Sequence, residues 1–115
     1  MPRNLPDQAG MGGMDVLEYE VVQEKAHNLA RMGRRLEQAL AALAAFDEAR
    51  SRGAGDSGKD GPERESLVAA AGEALWYYIV QREVCGLRDG EKVMREMGVP
   101  REVRLRMGFS PTRPR

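Results

Sequence analysis

Between Asp15 and Ser51 the chain contains no proline and a single glycine, Gly33. Within that stretch Val22, Leu29, Leu36 and Leu43 recur every seven residues, and Met32, Ala39 and Phe46 fill the intermediate positions. A seven-residue apolar repeat is the signature of a helix carrying one narrow seam for another helix. Lys25 is the one charged intruder on the seam. Asp15 and Glu18 have the spacing of a capping box, with Met14 and Tyr19 placed as a hydrophobic staple. The pattern predicts a helix over about 15–51, about 55 Å long at 1.5 Å per residue. Gly33 costs such a helix roughly 1 kcal/mol relative to alanine. A helix of that length is not stable on propensity alone and needs a packing partner.

The partner is legible further along. Residues 52–61 are rich in glycine and aspartate and read as a linker. Asp60, Pro62 and Glu63 then have the composition of a helix start, predicting a second helix over about 62–86. Its seam is Val68, Ala71, Leu75, Tyr78 and, against the pattern, Arg82. The run Leu75-Trp76-Tyr77-Tyr78-Ile79-Val80 is apolar all the way round, which suits a central or intersubunit position. Asp89 and Gly98 bracket a short third helix over about 90–97, and Pro100 and Gly108 a fourth over about 100–107. Residues 1–13 read as a flexible arm, 14–108 as the helical domain, and 109–115 as a flexible basic tail.

The fold expected is therefore all-α: a long antiparallel helical hairpin with two short C-terminal helices. The second helix is about 15 Å shorter than the first, which leaves the N-terminal third of the first uncovered, with Leu17, Val21 and Val22. Helices 3 and 4 are expected to fold back over that region. Two long helices still leave much apolar surface bare, so the chain is expected to pair as a homodimeric four-helix bundle.

Composition restricts function more than it specifies it. Eighteen basic side chains balance eighteen acidic ones. Residues 1–100 hold 13 basic against 17 acidic, and residues 101–115 hold five against one, so an acidic body is cancelled by a basic end. Nothing in the chain approaches the roughly 20 apolar residues of a membrane span. One cysteine, Cys85, rules out an intrachain disulfide and points to a reducing, cytoplasmic setting.

Three motifs invite a chemical reading. Gly53 to Lys59 fits the frame of a phosphate-binding loop, but Asp60 stands where a metal-binding hydroxyl belongs and no strand precedes it. A solvated linker accounts for it better. Glu24 and His27 have the Glu-x-x-His spacing of di-iron bundles, with Glu20 nearby. With Val22 and Leu29 facing inward, those three side chains fall on the outer face, which opposes a metal reading. Glu91 to Val103 has a helix–turn–helix sound, and Arg101, Arg104 and Arg106 would be its phosphate contacts. Arg104 occupies the place of an inward aliphatic, so a bundle-closing turn fits better.

Among single residues, Arg82 on the apolar seam calls for a carboxylate, with Glu18, Glu20 and Glu24 of helix 1 as candidates, as a structural ion pair. Trp76, Tyr77, Tyr78 and Ile79 are the candidate interface residues. A lone histidine cannot supply a full set of catalytic partners, and no cofactor is indicated. The function expected is a non-enzymatic helical interaction or structural module with an unidentified protein partner. The two rivals are a DNA-associated protein using the basic C-terminal segment and a metal-binding bundle using Glu-x-x-His.

Leu17-Glu18-Tyr19-Glu20-Val21-Val22-Gln23-Glu24-Lys25-Ala26 and Ala74-Leu75-Trp76-Tyr77-Tyr78-Ile79-Val80-Gln81-Arg82-Glu83 together resemble a family of short bacterial proteins classed as a domain of unknown function. The likeness runs on through Gly86-Leu87-Arg88-Asp89 to Val99-Pro100, most of residues 15–108. It implies a helical bacterial protein and carries no activity, cofactor or site residue with it.

Overall fold

A computed structural model describes residues 12–54 and 57–108. Four helices follow one another: α1 (Gly12–Ala49), α2 (Ser57–Val84), α3 (Gly90–Glu96) and α4 (Arg101–Arg106), with no strand among the described residues. The all-α hairpin with two short C-terminal helices is thus the architecture found. The basic tail expected over 109–115 and residues 1–11 of the expected arm lie outside the described residues.

The ends of the long helices differ from those expected. Helix α1 starts at Gly12, so Asp15 lies in its first turn instead of capping it, where its charge still complements the helix dipole. It closes in a widened turn, Arg50–Ala54, in which Gly53 takes φ 95°, a left-handed conformation open to glycine at little cost. Helix α2 starts at Ser57, so the expected linker of residues 52–61 is shortened and Pro62 lies inside the helix. A proline this close to a helix end sacrifices one backbone bond, and the long helix behind it carries the loss. At the other end α2 stops at Val84 through a Schellman motif: Gly86, φ 82°, donates to the Glu83 carbonyl at 3.0 Å, and Leu87 to Arg82 at 2.9 Å. Helix α3 closes the same way at Gly98, with Val99 donating to Met94 at 3.0 Å. Asp89 holds the N-cap position of α3 in a left-handed conformation, but its side chain makes no capping bond.

The two long helices are antiparallel. Arg64, early in α2, reaches Asp47, late in α1, while Gln81 and Cys85 at the other end of α2 reach the carbonyl of Lys25. The core between them is the pair of sequence seams, with Leu36, Leu43, Val68, Ala71 and Leu75 buried, joined by Ala74. Full burial of a leucine contributes roughly 1.5–3 kcal/mol, so Leu36 and Leu75 are principal holders of the hairpin.

Helices α3 and α4 do not cover the N-terminal third of α1, contrary to expectation. They turn back along α2 and bury Met94 and Val103 against the hairpin core. Gly72 explains the docking site: a Cβ there would stand 2.8 Å from the Cβ of Arg106 and 3.1 Å from its carbonyl carbon and oxygen, so only glycine leaves the notch that α4 fills. Gly33 has a similar part in the hairpin, since a Cβ there would stand 3.2 Å from the Tyr78 ring. The first thirteen or so residues of α1 therefore overhang the bundle. In that overhang Val16, Leu17, Tyr19, Val21 and Val22 are 52–62% exposed. No described helix is long and apolar enough to cross a membrane.

Candidate interaction surface

A helix presents consecutive residues about 100° apart, so an apolar run of six cannot be buried on every side by one neighbouring layer. The run Leu75 to Val80 divides accordingly. Leu75 is buried, and Tyr78 and Ile79 pack on the core, whereas Trp76, Tyr77 and Val80 look outward. With Val84 one turn further on, Trp76, Tyr77, Val80 and Val84 form a stripe 37–50% exposed along the flank of α2. Two of the four interface candidates, Trp76 and Tyr77, are thus available to a partner, and Tyr78 and Ile79 are used within the chain. Trp76 and Tyr77 meet edge to face, 5.2 Å between ring centroids. The guanidinium of Arg35 on α1 lies 5.3 Å over the Tyr77 ring, and the same arginine approaches Glu73 at 3.8 Å. These contacts fix the aromatic pair on the surface without covering it.

Among the described residues Arg82 meets no carboxylate of α1. Its Nη2 donates to the carbonyl of Arg88 at 2.7 Å, tying the turn after α2 to the helix end. The reason is the overhang: Glu18, Glu20 and Glu24 lie beyond the last turns of α2 that Lys25 already meets. A recess of about 80 Å³ beside it is lined by Arg82 and Arg88 but equally by Glu83 and Asp89, so it offers no net charge to an anion.

The other sequence candidates are placed apart from any shared chemistry. Glu20, Glu24 and His27 are all exposed on α1. Among the described residues no three His, Cys, Asp or Glu side chains come close enough to hold a metal ion. Arg101 is exposed, but Arg104 is engaged by Glu91 at 2.7 Å and Arg106 by Glu65, so two of the three residues of the rival phosphate-contact reading already serve the fold. Arg113 and Arg115 lie outside the described residues.

The strongest polar site in the described chain is one that the sequence reading missed. Arg64 donates to both oxygens of Asp47, at 2.7 and 2.9 Å, and to both of Glu102, at 2.9 and 2.6 Å, joining α1, α2 and α4. Its hydrogen bonds hold both carboxyls below the usual carboxylate range, and the two carboxylates in turn raise the guanidinium pKa. A signal was present: Arg64 precedes Val68 by four on the seam of α2, and Asp47 follows Leu43 by four on that of α1. The site is a structural clamp. It holds no group free for chemistry.

Over residues 6–115 the chain matches a family described as "Family of unknown function (DUF6665)". The chain belongs to that family. No curated protein and no solved structure matches it. For this DUF6665 chain the surfaces themselves carry the functional argument: the bare flank of α2 and the exposed apolar residues of the α1 overhang.

Proposed function

We propose that the chain is a non-enzymatic helical interaction module of the bacterial cytoplasm, working as a homodimer whose hairpins pack into a four-helix bundle. One observation carries the reading: Trp76, Tyr77, Val80 and Val84 stand 37–50% exposed in a stripe on a helix whose opposite side packs on the core. Large side chains held rigidly at a surface and left wet are the raw material of a contact, since covering them releases water without further ordering cost. The cytoplasmic setting rests on the single free thiol of Cys85. Val80 and Val84 belong neither to the buried core nor to the residues packed on it, so Val80→Glu with Val84→Glu changes the surface and spares the fold. Light scattering is expected to give the wild type at twice 12.8 kDa and the double variant at the single mass, both with the same helical circular dichroism. A wild-type monomer at micromolar concentration would remove the dimer, and an undisturbed dimer in the variant would remove this flank from it.

A further inference from the structure

Charge along the first half of α1 is sorted by sign. Asp15, Glu18, Glu20 and Glu24 come first with no basic residue among them; Lys25, Arg31, Arg34 and Arg35 follow with no acid until Glu37. None of the four acids forms an ion pair among the described residues. Of the bases, Arg31 only bonds Asn28 in its own helix at 2.7 Å, and Arg35 meets Glu73 loosely at 3.8 Å. Four of these charges, Glu20, Glu24, Arg31 and Arg35, fall within about 60° of one another around the helix, and all four are exposed.

Their spacing has a two-fold property. The midpoint of Glu20 and Arg35 lies between His27 and Asn28, and so does the midpoint of Glu24 and Arg31. We infer that this flank of α1 is the pairing surface for a second copy of the chain, laid antiparallel about a two-fold axis between His27 and Asn28. That axis sets Glu20 opposite the partner's Arg35 and Glu24 opposite the partner's Arg31, each twice, giving four ion pairs from one self-complementary patch. A parallel pairing would place acid on acid and base on base. Leu17 shares the flank, and Arg35 joins it to Tyr77 on α2, so the overhang of each copy is carried towards the bare flank of the other. The inference rests on the homodimeric reading above and adds its orientation and register.

Mixing two charge-reversed chains tests it. Glu20→Lys with Glu24→Lys makes all four positions basic, and Arg31→Glu with Arg35→Glu makes all four acidic. Each variant alone is expected to dimerise at least about tenfold more weakly than the wild type at low salt, because every contact becomes like on like. An equimolar mixture is expected to recover a dimer containing one chain of each kind, weakening as salt is added. Circular dichroism checks that both variants remain helical. Should either variant alone dimerise as the wild type does, or the mixture stay monomeric, the antiparallel pairing is overturned. A dimer lost in the Val80→Glu, Val84→Glu chain yet kept in both charge variants would leave the homodimeric module standing and remove only this inference.

Discussion

Val22 and Leu36 occupy the same heptad position, two repeats apart on the same helix, yet Val22 is 61% exposed and Leu36 is fully buried. Leu29 between them is half-buried, and Leu43 beyond is 2% exposed. The gradient does not follow side-chain chemistry, which is aliphatic throughout. It follows the length of what lies opposite: α2 ends beside Lys25, and the seam continues past it. A heptad repeat states that a helix wants a partner along its whole length, without stating that the same chain supplies it.

Truncating the two residues breaks the comparison most directly. Leu36→Ala is expected to cost about 2–5 kcal/mol in urea unfolding, since the side chain is closed in by both α1 and α2 and the site cannot collapse freely. Val22→Ala removes a side chain already in water and is expected to change the monomer's unfolding free energy by less than about 0.5 kcal/mol. Comparable losses at both positions, measured in dilute protein, would mean that the overhang is covered within a single chain.

The covered half is extended by α4, and Gly72 tests how. Gly72→Ala must move a Cβ away from the backbone of Arg106, and backbone yields less readily than a side-chain tip. The expected loss is about 1–3 kcal/mol, from overpacking set against a gain in helix propensity. Hydrogen exchange should report it locally: amides of α4 lose protection, while those of α1 near Lys25 keep theirs.

The seams, the hairpin and the two short helices were all readable because each rests on local periodicity or on a turn residue such as Gly86 or Gly98. What was not readable is where the short helices dock. Six-residue α4 carries one buried aliphatic, Val103, and its place is set by the notch at Gly72 and by ion pairs to Glu65, Arg64 and Glu91. Those partners are 13 or more residues away in sequence, where spacing holds no information. Gly33 is legible only in part for the same reason. Its cost to the helix is local, whereas its use, room for the Tyr78 ring, exists only after the hairpin closes. An all-apolar run names a helix segment rather than a face: Trp76 and Tyr77 are offered outward and Tyr78 and Ile79 are not.

The Arg64 clamp gives the covered half a dependence on pH that the overhang should lack. Asp47 and Glu102 have pKa values lowered in the folded chain by their hydrogen bonds to Arg64. A lowered carboxyl pKa means that the unfolded chain binds protons more readily than the folded one. The clamp's contribution is therefore complete above the unfolded value, near pH 4, and is lost as pH falls through the lower folded values. Because Asp47 and Glu102 are 42% and 47% exposed, solvent screening limits the contribution to about 1 kcal/mol. Arg64→Ala should remove that amount at pH 7 and flatten the fall in stability below about pH 4. The measurement is the difference between variant and wild type, not either slope alone. If the two curves ran parallel throughout, the clamp would be a geometric contact that contributes no net charge stabilisation, and α4 would be held by Val103 and the Gly72 notch.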